Sequence, residues 1–409
     1  MVRCAVRPGP NLRNLRNLAN LAKGHEVRHW TSLLLCALLA ACAHAPPPVQ
    51  PPEDLFSGAS FAAPAEPIDA AEVFALNEAM RHYLRTVIAP KVRTQGRQTA
   101  LVEALYQRGK LRLEYDSVMT RNASQAFEAR AGNCLSLVIM TAAFAKEMGL
   151  QVIYQSAYRE ESWSRSGDLL FRSGHVNVTL GRRFIDSGSG QDLSELTIDF
   201  LPADQIRGLR TQPIPEAMVL AMYMNNRAAE ALAQGRLDDA HGWAREAIRQ
   251  DPTFLSAYNT LGVIYLRHGD ALPAERVFRH VLGREPANTR TLANLAQALS
   301  QMGRLQESQA LMSEIDRIEP HPPFHFFSLG LAAMRRGDFR SARDLFTREA
   351  ARDGHYHEFQ FWLAVANFQL GDVEQARKHL DRALAASTTR GDHDLYAAKL
   401  DWIRSLQQP

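Results

Sequence analysis

The sequence has 409 residues, of which 46% are apolar and 22% charged. That length suits two or three domains, and that composition excludes a disordered chain, a collagen-like fibre and a multi-span membrane protein. The formal charge of +3 comes from the first 41 residues, which hold six bases (Arg3, Arg7, Arg13, Arg16, Lys23 and Arg28) against one acid, Glu26. The remainder has 41 bases and 43 acids, a net of −2, and so offers no electrostatic reason to bind nucleic acid or an anionic membrane surface.

Arg28 precedes a nine-residue apolar run, Leu33-Leu34-Leu35-Cys36-Ala37-Leu38-Leu39-Ala40-Ala41, which ends at Cys42. The run is too short for a permanent membrane helix and suits the apolar core of a signal peptide spanning 1–41. The tetrad Leu39-Ala40-Ala41-Cys42 resembles a bacterial lipobox. That resemblance implies cleavage before Cys42 and lipidation of its thiol. Ala43, where Asp would signal retention, implies sorting to the outer membrane, facing the periplasm. The chain start is open between Met1 and Val27. The Pro- and Ala-rich stretch that follows, 42–68, reads as a semi-extended tether. The membrane is then a partner only through the lipid.

Cys4 and Cys36 leave with the signal and Cys42 carries the lipid, so Cys134 is the one free thiol of the mature chain. An amphipathic helix is predicted over 69–92 and a second over 98–107. Gly132-Asn133 then introduces an apolar helical run from Leu135 to Met148, closed by Gly149. Cys134 falls in the first helical turn, where free N–H groups favour a thiolate. Strands are predicted at 150–158, 175–180 and 183–186, with a polar loop, 159–167, carrying Trp163 as a substrate-binding lid.

His175 opens the second of these strands and is the only histidine between Lys91 and Leu220. Asp186 ends the next strand, eleven residues on, with Asp192 and Asp199 as alternatives. If the two strands pair through Gly181-Arg182, the carboxylate orients the imidazole and the imidazole activates Cys134. Asn177 shares the strand face of His175, either polarising a substrate carbonyl or pairing within the sheet. Arg-x-Gly-x-Cys opening a helix, then His and Asp on strands, resembles the bacterial transglutaminase-like superfamily. The resemblance covers roughly residues 95–200. It implies an α+β papain-like/transglutaminase-like domain at 69–215, with Cys134 as nucleophile, His175 as general base and acid, and Asp186 as orienting residue. No Trp follows Cys134 or precedes Asp186, unlike animal transglutaminases, so peptidase or amidase chemistry is favoured over cross-linking.

From about Ala221 a 34-residue period appears: Gly235, Gly269, Gly303, Gly337 and Gly371, with Pro252, Pro286 and Pro320 in the same register. A small residue recurs at Ala240, Ala274, Ser308, Ala342 and Ala376. This register resembles the tetratricopeptide repeat and implies an all-α solenoid of five repeats plus a closing helix, 221–406. Phe324, Phe327, Leu331, Phe361 and Phe368 are the candidates for an apolar groove that takes a protein or peptide partner. His321, His325, His355 and His357 lack ligand spacing, and neither a phosphate-binding loop nor a His-Glu-x-x-His motif is present, so no metal or cofactor is expected. The reading is a lipid-anchored periplasmic thiol enzyme, with a catalytically inactive interaction scaffold as the alternative.

Overall fold

The structure is a computed structural model that describes residues 5–8, 50–56, 60–106, 111, 113–117, 119–158, 163–166, 169–172, 175–181, 195–200 and 210–405. Cys42, the strand expected at 183–186, Asp186 and Asp192 lie outside the described residues.

The predicted helix over 69–92 begins later than expected. Asp69 caps only a short 3₁₀ turn, Ala70–Val73. The α-helix starts where the Asn77 side chain accepts the Met80 N–H, giving α1 (Glu78–Tyr83). A π turn (Leu84–Ile88) and α2 (Ala89–Gln95) continue it. Pro90 has no N–H to return to the preceding turn, and the backbone widens there instead of breaking. Gly96, at φ +78°, stops this run, and α3 (Arg97–Tyr106) packs back on it.

A capping box between Asn122 and Gln125 starts α4 (Ala123–Ala129). Arg130 then takes a left-handed conformation that turns the chain into β3 (Ala131–Gly132), paired in parallel with β2 (Glu114–Tyr115). Asn133 caps α5 (Cys134–Glu147), and Gly149 at φ +71° follows its end. Every residue from Leu135 to Ala145 is buried, as expected of a helix apolar on all sides.

A five-stranded antiparallel sheet backs α5, in the order β1 (Ala5–Pro8), β8 (Leu196–Asp199), β7 (His175–Gly181), β4 (Gln151–Tyr158) and β9 (Arg210–Ile214). β1 is an edge strand from the stretch read as a leader, and the other four pair without it. Central β7 is buried along its whole length, and the Gln98 amide donates to its Leu180 carbonyl at 2.7 Å. The loop expected over 159–167 contains a strand: β5 (Trp163–Ser166) forms a separate hairpin with β6 (Leu169–Arg172). Trp163 therefore stands on a hairpin.

The periodic half forms five helix pairs. They are α6 (Glu216–Ala233) with α7 (Leu237–Gln250), α8 (Leu255–His268) with α9 (Ala271–Leu282), and α10 (Thr289–Gln301) with α11 (Leu305–Ile318). The last two are α12 (His325–Arg335) with α13 (Phe339–Arg352) and α14 (His357–Gln369) with α15 (Val373–Ala386). α16 (Arg390–Ser405) closes the array. Each of the five glycines 34 apart sits between the helices of its pair with φ between +75° and +100°, the left-handed turn that a side chain resists. Ala240, Ala274, Ala342 and Ala376 are fully buried at the small position, and Ser308 there donates to the Ala296 carbonyl at 2.8 Å.

Two features differ from the sequence reading. Residues 52–56 and 60–68, expected as part of a free tether, lie along repeats 1 and 2: Leu55 is buried, and Ala62 and Ala65 donate backbone N–H groups to Asp238 and Asp239 at 2.8 Å. The aromatic groove expected in repeats 4 and 5 is filled by the repeats themselves. Phe324 and Phe327 are buried in the core of repeat 4, with Leu331 packed against them. Phe361 stacks on Tyr396 at 5.2 Å and Phe368 meets Trp402 at 5.1 Å, so the closing helix covers both. Their apolar area stabilises the packing of α16 against repeat 5.

At Gly262 a Cβ would lie 2.4 Å from the Phe278 ring, the closest approach between α8 and α9. Gly262→Ala gains about 1 kcal/mol of helix propensity and loses about 1–3 kcal/mol to overpacking. The expected net effect is destabilisation by about 1 kcal/mol, measured by urea denaturation followed by circular dichroism. An increase in stability would contradict the packing described.

Candidate active site

Three segments distant in sequence meet at the start of α5. Asn133 accepts from the Ser136 N–H at 2.9 Å and from the Ser136 hydroxyl at 2.8 Å, which fixes the first turn and leaves Cys134 at its head, partly exposed. His175 stands at the first position of β7, opposite Ala157 of β4. Asp199 ends β8, and the register that pairs Val178 with Ile198 carries it to the strand face shared by His175 and Asn177.

The imidazole Nε2 of His175 lies 2.6 Å from Asp199 Oδ1, both side chains being buried, and Cys134 is the other group that acts on the ring. Asp199 Oδ2 accepts from the Asn177 amide at 3.2 Å. Asn177 thus supports the carboxylate, while its own Oδ1 is buried with no partner among the described residues. Of the predicted set, the structure brings Cys134, His175 and Asn177 together. The carboxylate on His175 is Asp199, one of the two alternatives, in place of the preferred Asp186. Its sequence signal is the alternating Leu196-Thr197-Ile198-Asp199-Phe200, a strand with an acid at its end.

Burial pulls the His175 imidazolium down, but its hydrogen bond to Asp199 and the neighbouring Cys134, with the charges of both, outweigh that and push it up to about 9. The ring is therefore a cation at neutral pH. Tyr115, which the sequence reading did not single out, is the fourth member. β2 sets it opposite Gly132, at the start of α5. Burial, then the neighbouring Cys134, raises the phenol, so Tyr115 stays neutral.

The residues after Tyr115 tie this site to the repeats. Asp116 pairs with Arg121 at 2.8 Å, and the Arg121 N–H is accepted by the Ser136 hydroxyl at 2.8 Å. The Thr120 hydroxyl receives the Asn133 amide at 2.9 Å and the Asn226 amide of α6 at 3.2 Å, while the Thr120 N–H donates to Glu230 of α6 at 2.6 Å. Burial raises the Glu230 carboxyl, opposed by the hydrogen bonds from Thr120 and the charge of Arg227. At the other end of the array, both the N–H and the hydroxyl of Ser117 donate to the Thr388 carbonyl at 3.3 Å. One short segment therefore touches the thiol helix and both ends of the solenoid.

Comparison with known proteins adds information about the array. Family models of the tetratricopeptide repeat match residues 225–279, 266–325 and 327–390, so this part of the chain consists of such repeats. The TPR repeat-containing thioredoxin TTL4 of Arabidopsis thaliana is 36% identical over 101 residues, 23% of this chain and 14% of that protein. The chain thus spans 14% of the length of that curated relative. TTC0263, a thermophilic repeat protein of Thermus thermophilus, aligns with 44% of this chain and 98% of its own at 19% identity and a TM-score of 0.28. Yeast Tom70 aligns with 46% of this chain and 40% of its own at 14% identity and a TM-score of 0.33. Repeats of this type suit protein–protein interaction.

The raised His175 couples stability to pH. Because its folded value of about 9 exceeds the ordinary 6.5, its stabilisation is complete below about pH 6.5 and is lost as pH rises through 9. Asp199→Asn removes the hydrogen bond that raises the ring most and is expected to lower the midpoint by more than one pH unit, measured by ¹⁵N NMR titration of the ring. An unmoved midpoint would remove Asp199 from the site.

Proposed function

We propose that the chain is a thiol hydrolase of amide bonds, a peptidase or amidase, whose repeat array docks a protein partner or substrate. The observation that carries this reading is the buried His175 imidazole, 2.6 Å from Asp199 and raised in basicity by Asp199 and Cys134. A histidine retained for packing alone needs neither neighbour. The α+β layout around α5 and the order of these residues support kinship with the transglutaminase-like superfamily and a papain-like core.

In this reaction the Cys134 sulfur attacks the amide carbon as a thiolate paired with the His175 cation. The C–S bond forms while the carbonyl π pair moves to oxygen, where the Cys134 backbone N–H at the head of α5 can receive it. Collapse of that oxyanion breaks the C–N bond, and His175 gives its proton to the leaving amine. Water then attacks the thioester, His175 takes a proton from it, and the acid leaves with the thiol restored. Asp199 holds the ring in place through both halves.

A second reading, an interaction scaffold without turnover, is favoured by a different observation: the matched families lie entirely in the repeats, from residue 225 to 390. Iodoacetamide separates the two. For the hydrolase, the alkylation rate of Cys134 at pH 7 falls at least tenfold in His175→Ala, and Cys134→Ala abolishes amine release from unfolded casein. Equal alkylation rates in both proteins, with no amine release by the unaltered chain, would establish the scaffold.

We further propose that Cys42 is lipidated and holds the protein on the outer membrane, facing the periplasm. The support is the Leu39-Ala40-Ala41-Cys42 motif. Mass spectrometry of the mature N-terminus in a Gram-negative host is expected to find a diacylglyceryl-modified Cys42. An unmodified N-terminus elsewhere would overturn the assignment.

A further inference from the structure

Residues 60–65 run along the surface of the array, beyond Leu55 and Phe56, which pack into the core. The Tyr265 hydroxyl donates to the Leu55 carbonyl at 3.0 Å, and the Arg245 guanidinium lies over the Phe56 ring at 5.1 Å. Phe61 stacks on His241 with ring centroids 4.0 Å apart and planes 9° from parallel, flanked by His268 at 4.4 Å and Tyr265 at 5.9 Å. Asp238 and Asp239, in the first turn of α7, accept the backbone N–H groups of Ala62 and Ala65. Pro64 fills the space above Gly242, where a Cβ would lie 3.0 Å from the ring.

These contacts make a readable pattern. The two carboxylates read main-chain amides rather than side chains, so proline is excluded from both positions and neighbouring acids are disfavoured. A slot of three rings reads the aromatic residue, and a glycine makes room for proline three residues later. Burial, with Arg245 beside it, pulls His241 down to about 4, which keeps the stacking ring uncharged at neutral pH. The segment lies on the surface: Ala62, Ala63, Ala65, Glu66 and Pro67 are exposed. It runs against the second helix of repeat 1 and the end of the first helix of repeat 2.

We propose that this groove of repeats 1 and 2 is a peptide-docking site, that residues 60–65 are its resident intramolecular ligand, and that its external partner is a polypeptide with an extended aromatic-x-x-Pro-x segment. The match of groove to segment carries the proposal: a surface strap bound by its backbone, one ring and one proline is exchangeable for any chain of that pattern. It is independent of the thiol chemistry. A tethered ligand acts at an effective concentration on the order of millimolar, so a free segment competes poorly until the strap is weakened.

The test uses the full chain and a fluorescent peptide with the sequence of residues 52–68. Phe61→Ala in the chain is expected to tighten its binding of the peptide at least tenfold over the unaltered protein, and Gly242→Leu added to Phe61→Ala abolishes that binding. A folded Phe61→Ala chain that leaves the peptide unbound at millimolar concentration would overturn the proposal, as would equal binding by the unaltered chain. Hydrogen exchange needs no variant. In the unaltered chain, the Ala62 and Ala65 amides are expected to be protected, and to lose protection only when unlabelled peptide is added well above the strap's own effective concentration, on the order of millimolar. Protection unchanged by the peptide would overturn exchange in the groove.

Discussion

The rest of the site depends on how Asn133 is held. Its carbonyl oxygen caps the thiol helix through Ser136, and its amide reaches Thr120, whose hydroxyl also receives Asn226 from the first repeat helix. A helix cap of this kind contributes about 1 kcal/mol by itself. Its further effect is geometric. Cys134 is the next residue, so the position of its sulfur relative to His175 follows from a side chain that belongs jointly to the sheet domain and to the array.

Tyr115 and Ser117 extend the same constraint. Tyr115 pairs opposite Gly132 at the start of the thiol helix, two residues before Ser117 meets the far end of the solenoid at Thr388. The strap along repeats 1 and 2 is a second connection, made through Asp238 and Asp239.

Much of this was legible in the sequence, for identifiable reasons. The repeat glycines stand out because the left-handed turn requires them at a fixed interval, and Asn133 and Gly149 mark helix ends by local chemistry. Cys134 and His175 follow from those boundaries. Asp199 in place of Asp186 did not, because strand pairing is a long-range choice: the partner of β7 is the later strand that ends in Asp199, rather than the one expected directly after Gly181-Arg182. The strap reads as a tether because Pro and Ala composition reports local stiffness and says nothing of distant acceptors such as Asp238 and Asp239. Phe361 and Phe368 read as groove residues because repeat geometry places them without showing that α16 covers them. Tyr115 carries no local signal, since a two-residue strand leaves no periodicity.

The central claim, that the array and the thiol helix are one connected unit through Thr120, is tested most directly by a double-mutant cycle between Asn133→Ala and Asn226→Ala. The quantity read is the alkylation rate constant of Cys134 at fixed pH. The account predicts non-additive effects, with a coupling of at least about 0.5 kcal/mol, as expected for side chains that share one partner. Effects that add within error would contradict it and leave the repeats and the thiol site as neighbours without a common support.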